Sequence, residues 1–118
     1  MSAGLTTHVL DISQGRPAQN VRIDLYRLHD GAAELLRTEH TNADGRLPGP
    51  MLGGEAFQPG TYELLFHVGD YYRQAGVEMA DPPFLDRVPI RFGVASADTH
   101  YHVPILIAPW GYNTYRGS

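Results

Sequence analysis

Apolar and polar residues alternate with a period of two through most of the chain. Val21, Ile23 and Leu25 alternate with Arg22, Asp24 and Tyr26, and Tyr62, Leu64, Phe66 and Val68 alternate with Thr61, Glu63, Leu65 and His67. Successive strand side chains point to opposite faces, so each segment predicts a strand with one side for a core and one for water. The same period marks Leu5–Leu10, Val88–Val94 and Tyr101–Ile107, and Pro89 predicts an edge or irregular position for its strand. A weaker strand is predicted over Glu34–Thr41 and a last segment over Tyr112–Arg116. Asp70–Gly76 is the one stretch compatible with a helix, of one or two turns.

Turn chemistry separates these runs at Asp11–Pro17, Asn42-Ala43-Asp44-Gly45-Arg46, Met51–Gly60, Pro82-Pro83 and Pro109-Trp110-Gly111. Seven or eight short strands so spaced predict an all-β fold, a two-layer antiparallel β-sandwich of about eight strands with one short helix. A parallel α/β fold would need a helix after each strand. The 118 residues suit a single domain over 1–118.

Composition narrows the chemistry. The chain has 9 basic and 13 acidic residues, a net charge of −4, with no cysteine and no lysine. Disulfides, thiolate metal sites, cysteine nucleophiles and lysine Schiff bases are therefore excluded. Without a Lys/Arg cluster, nucleic acid is not expected as a partner. No apolar run approaches the roughly 20 residues of a membrane-spanning helix, so no membrane partner is expected. The start, Met1-Ser2-Ala3-Gly4-Leu5, lacks the basic and long apolar stretches of a secretory signal, and the expected location is the cytoplasm.

Six histidines are the unusual supply. His8 shares a strand face with Thr6 and Leu10, a position that suits a half-buried structural histidine or a base working near neutral pH. His100 and His102 share one face of a strand, at a spacing open to zinc ligation with His8 as a third ligand. No carboxylate has a clear claim to completing such a shell, so the expectation for His102 is a base in a metal-free hydrolytic site. Arg46 closes the Asp-Gly turn, either as a solvated arginine or as a fixed guanidinium for a planar, oxygen-rich ligand. The segment Tyr115-Arg116-Gly117-Ser118 ends the sequence with the strand pattern still running. Neither an ordinary edge strand nor a functional use of those groups is favoured by the pattern.

These same places carry a family resemblance. Leu5-Thr6-Thr7-His8-Val9-Leu10-Asp11, Gly15-Arg16-Pro17-Ala18, Thr41–Arg46, Gly60–Leu64, Pro83–Phe92, His100-Tyr101-His102-Val103-Pro104-Ile105-Leu106 and Tyr115–Ser118 together resemble the 5-hydroxyisourate hydrolases. These are the enzyme branch of the transthyretin-like proteins. The resemblance implies ring-opening hydrolysis of 5-hydroxyisourate in urate breakdown, with no cofactor and no metal. It implies a homotetramer with its sites at a subunit interface. It assigns catalysis to His8, Arg46, His102 and Ser118, and substrate binding to His8, Arg46, Tyr115, Arg116 and Gly117. A hormone carrier of the transthyretin kind is the competing expectation. It fits poorly with two histidines and an arginine in the channel, which are costly to desolvate without a ligand.

Overall fold

The computed structural model describes residues 3–118; Met1 and Ser2, part of the segment read for a secretory signal, lie outside the described residues. The strands are β1 (Gly4–Asp11), β2 (Arg16–Pro17), β3 (Arg22–His29), β4 (Ala32–His40), β5 (Leu52–Gly53), β6 (Gly60–His67), β7 (Arg87–Val94), β8 (Tyr101–Ala108) and β9 (Gly111–Thr114). One helix, α1 (Val68–Gln74), follows β6, and a single 3-10 turn spans Gly54–Ala56. One sheet has the order β2-β1-β8-β9, with β5 also on β1; the other has the order β4-β3-β6-β7.

The period-two runs become strands because each has an apolar side to bury. Leu5 and Val9 of β1 and Val103, Ile105 and Ile107 of β8 join Ile23 and Leu25 of β3 and Tyr62, Leu64 and Phe66 of β6 in one core. Burying a side chain of this size contributes about 1.5–3 kcal/mol. The intervening Thr6, His8, Leu10, His102 and Leu106 are half-buried on the outer face of the first sheet. That face carries the candidate residues.

Three expectations need adjusting. The sandwich is antiparallel except at its centre, where β1 and β8 run parallel over seven paired residues, from Leu5 opposite Tyr101 to Asp11 opposite Ile107. Some ninety residues separate the two strands, so no hairpin dictates their direction. β4 spans Ala32–His40 rather than Glu34–Thr41. It is an edge strand exposed on both faces, Leu35 at 52% included, so backbone pairing to β3 rather than burial sets its limits. α1 begins at Val68, two residues before the expected Asp70, because Val68, Gly69, Tyr71 and Tyr72 are all buried. Pro89 does lie in an edge strand, β7.

A buried carboxylate ties the helix to the first sheet. Asp11, 1% exposed, accepts hydrogen bonds from the hydroxyls of Tyr71 (2.8 Å), Tyr72 (2.8 Å) and Ser13 (2.6 Å). The backbone amides of Ser13 and Gln14 also donate to it. Burial by itself would raise this carboxyl's pKa, but the hydrogen bonds from Ser13, Tyr72, Tyr71 and Gln14 outweigh it and hold the group below the ordinary aspartate value. Burial and the bond to Asp11 push the Tyr71 hydroxyl up to about 12.

Asp11→Ala, which strands two tyrosine hydroxyls, should cost about 3 kcal/mol in denaturant unfolding. Because the folded carboxyl is depressed, its contribution is present above the unfolded aspartate pKa of about 3.9 and is lost as pH falls through the lower folded value. The wild-type stability curve should therefore fall more steeply below about pH 4 than that of Asp11→Asn. Parallel curves would contradict this account of the carboxylate.

Candidate active site

Four stretches of backbone lie side by side across the outer face of the first sheet. Arg46 bridges to His8, β1 pairs with β8, and His102 of β8 bridges to Gly117. In the parallel register Thr6 faces His102 and His8 faces Pro104, with one residue pair between them, so both histidines project from the same face. Strand separation and rise put their Cα atoms about 8 Å apart on the diagonal, within reach of a single small ligand.

The turn that presents Arg46 is built around Asn42. Its side-chain oxygen accepts from the amides of Asp44 (2.9 Å) and Arg46 (3.1 Å), while its backbone N–H donates to the Arg46 carbonyl (2.8 Å). Gly45 has φ of 74° and packs against the Val9 carbonyl, a conformation and a space that exclude a side chain. Its own carbonyl accepts from the Val9 amide at 2.8 Å, which fastens the turn to β1.

Each histidine has a fixed partner. His8 Nε2 lies 2.9 Å from the Asp44 carbonyl. His102 Nδ1 lies 2.8 Å from the Thr6 hydroxyl, and His100 Nε2 lies 3.0 Å from the same oxygen. Burial lowers the His8 pKa and the Arg46 charge lowers it further, against the opposing Asp44 carbonyl. His102 is lowered by burial, then by Arg46, His8 and His100, against an opposing contact with the Thr6 backbone. Both imidazoles are thus neutral at pH 7, the state a proton acceptor requires.

The zinc arrangement is not what His100 and His102 form. They converge on the Thr6 hydroxyl, and among the described residues no group of three histidine or acidic side chains is arranged to hold a metal ion.

The 115–118 segment divides. The Gly117 amide donates to the His102 carbonyl at 2.7 Å, and a Cβ on Gly117 would stand 2.6 Å from His102 Cδ2, so glycine is what fits against that ring. Tyr115 and Arg116 instead line a cleft of about 300 Å³ with Phe92 and Tyr101, between the sheets at their β7 and β9 edges. The Arg116 guanidinium sits 4.0 Å over the Tyr101 ring and donates to the His100 carbonyl at 3.3 Å. Ser118 follows, exposed. The chain thus gathers His8, Arg46, His102 and Gly117, and leaves the side chains of Tyr115 and Arg116 in the neighbouring cleft. Thr6 and Asn42 belong to the site's framework although nothing in the pattern singled them out. Thr6 was visible only as the residue sharing a face with His8.

The chain matches the HIUase/Transthyretin family over residues 5–117. It belongs to that family. Among its relatives, 5-hydroxyisourate hydrolase 2 of Rhizobium meliloti (strain 1021) is 62% identical over 117 residues, covering 99% of this chain and 98% of the relative. The solved structure of Klebsiella pneumoniae 5-hydroxyisourate hydrolase matches with a TM-score of 0.81 at 38% identity, over 98% of this chain and 99% of that one. The crystal structure of (S)-allantoin synthase matches with a TM-score of 0.92 at 47% identity, over 99% of this chain but only 44% of that one. This chain therefore spans less than half the length of that protein. The HIUase/Transthyretin sandwich accounts for the two sheets and the short helix seen here.

Removing the Asn42 side chain should loosen the turn without touching the sandwich. In Asn42→Ala, amide hydrogen exchange at Asp44 and Arg46 should speed up by about tenfold, the equivalent of one lost hydrogen bond, while β8 amides keep their protection. Unchanged exchange at both turn amides would show that Asn42 does not hold Arg46 in place.

Proposed function

We propose that this chain hydrolyses 5-hydroxyisourate, opening its ring to 2-oxo-4-hydroxy-4-carboxy-5-ureidoimidazoline. The observation that carries the reading is a pair of imidazoles beside an arginine on one sheet face, His8 and His102 with Arg46, both imidazoles held below the ordinary histidine pKa by burial and then by the Arg46 charge. Relatives that bear the 5-hydroxyisourate hydrolase name at up to 62% identity support it.

The substrate is a small flat ring with several carbonyls. One imidazole of the pair takes a proton from a water, and the hydroxide formed attacks a ring carbonyl. The Arg46 guanidinium binds carbonyl oxygens and stabilises the negative charge that builds up on attack. The ring C–N bond then breaks, the carbon side leaving as a carboxylate and the nitrogen taking a proton. No metal enters this scheme. Gly117 keeps the His102 ring in place, and the backbone of Tyr115 and Arg116, with the Ser118 hydroxyl, closes the pocket.

A site on an open sheet face leaves its charges in bulk water, where their interactions are weak. Half-buried Leu10 and Leu106 share the face with the two histidines. We infer that a second copy covers it, in a homotetramer whose sites lie at a subunit interface.

The test is an ultraviolet assay in which urate oxidase generates 5-hydroxyisourate in place and its decay is followed with and without this protein. The expected result is decay far faster than the spontaneous rate and indifferent to EDTA. His8→Ala and His102→Ala should each lower kcat by about 10²–10⁴-fold, and Gly117→Ala, which displaces the His102 ring, by about 100-fold. Because both histidines sit below their ordinary pKa of about 6.5, kcat/KM should stay level through that pH and decline only below it. No acceleration by the wild type would overturn the assignment, and loss of activity with EDTA would overturn its metal-free form.

A further inference from the structure

The hydrogen bonds around the two histidines differ in a way that separates their roles. The Asp44 carbonyl can only accept, so at 2.9 Å from His8 Nε2 it requires the proton of a neutral His8 to sit on Nε2. The bare, basic nitrogen of His8 is then Nδ1.

His102 is held by a hydroxyl, which can donate or accept, and the direction is set one residue further away. Thr6 Oγ1 has a single proton to share between His100 Nε2 at 3.0 Å and His102 Nδ1 at 2.8 Å. The other nitrogen of His100, Nδ1, is shut away from solvent and has no hydrogen-bond partner among the described residues. A buried N–H with nothing to donate to is rarer in proteins than an under-satisfied acceptor, so the His100 proton belongs on Nε2, where Thr6 accepts it. Thr6 must then give its own proton to His102 Nδ1, which leaves the His102 proton on Nε2. The two distances fit this direction, hydroxyl donors making the shorter bonds and ring N–H donors the longer.

We propose that His100 and Thr6 are positioning residues that fix the tautomer of His102. On the hydrolytic reading given above, this makes His8 the base and His102 the proton donor. His8 Nδ1 takes the proton of the attacking water, and its oxygen bonds to the ring carbonyl carbon. His102 Nε2–H passes its proton to the ring nitrogen as the C–N bond breaks, and the proton held on His8 moves through solvent onto His102 Nε2 in the same step, so that neither an imidazolate nor an imidazolium is left. His100, which the spacing alone offered as a metal ligand, becomes the residue that orients Thr6.

The direct test is the nitrogen-15 spectrum of the histidine side chains in the full-length protein at neutral pH, where protonated and bare ring nitrogens are resolved. The expected wild-type result is protonated Nε2 and bare Nδ1 on both His8 and His102. Thr6→Val, which keeps the shape and loses the hydroxyl, should release His102 into a mixture of tautomers while leaving His8 unchanged. Its kcat should fall about tenfold or more with little change in KM, and Thr6→Ser should restore both spectrum and rate. A wild-type His102 protonated on Nδ1 would overturn the proposal whether or not any variant folds. So would a Thr6→Val protein that keeps the wild-type tautomer and kcat. The spectrum is read without substrate, so its outcome is separate from whether the protein hydrolyses 5-hydroxyisourate.

Discussion

Parallel pairing of β1 with β8 is the interaction on which the rest of the molecule depends. Seven residue pairs join two strands that lie at opposite ends of the sequence. On the inner face this register sets Leu5 opposite Tyr101 and Val9 opposite Ile105, all buried, so the apolar area that stabilises the sandwich also holds the register. A slip by one residue would turn that core face outward. The same register brings Thr6 and His8 beside His102 on the outer face. Core and candidate site are two sides of one strand pair.

What the outer face can do follows from charge. Arg46 stands next to His8 through the backbone bridge, and partial burial, with the Arg46 charge behind it, lowers the pKa of both histidines. One cation thereby serves twice, since it discourages protonation of the bases and attracts the oxygens of an electron-rich ring. The Asn42-centred turn fixes where that cation sits. The helix is tied down separately, by the Asp11 carboxylate with Tyr71 and Tyr72, on the core side of β1. His8 and Asp11 are three positions apart on the same strand, on opposite faces, one serving the site and the other the packing.

Much of this was legible in the order of residues. Strands with one buried face, such as β3 and β6, announce themselves through period-two alternation, and Pro89 marks its strand as an edge. His8, Arg46 and His102 stand out as polar residues on well-patterned strands or a strong turn. β4 was blurred because it is exposed on both faces, and α1 because its buried residues continue the pattern of β6. The Thr6 hydroxyl shared by His100 and His102 was out of reach. It depends on a register between strands some ninety residues apart, and loop closure over that distance leaves no local trace. The split of the 115–118 segment is hidden for the same reason, since Gly117 meets His102 while Arg116 stacks on Tyr101.

The central claim is that His8 and His102 act together on one ligand held between them. A double-mutant cycle measures this most directly, with kcat/KM for 5-hydroxyisourate determined for His8→Ala, His102→Ala and the pair. Groups that act as a unit lose most of their effect when either is removed, so the double variant should be little slower than the worse single variant. Losses that simply multiply would mean that the two histidines work independently, and the shared site would be contradicted.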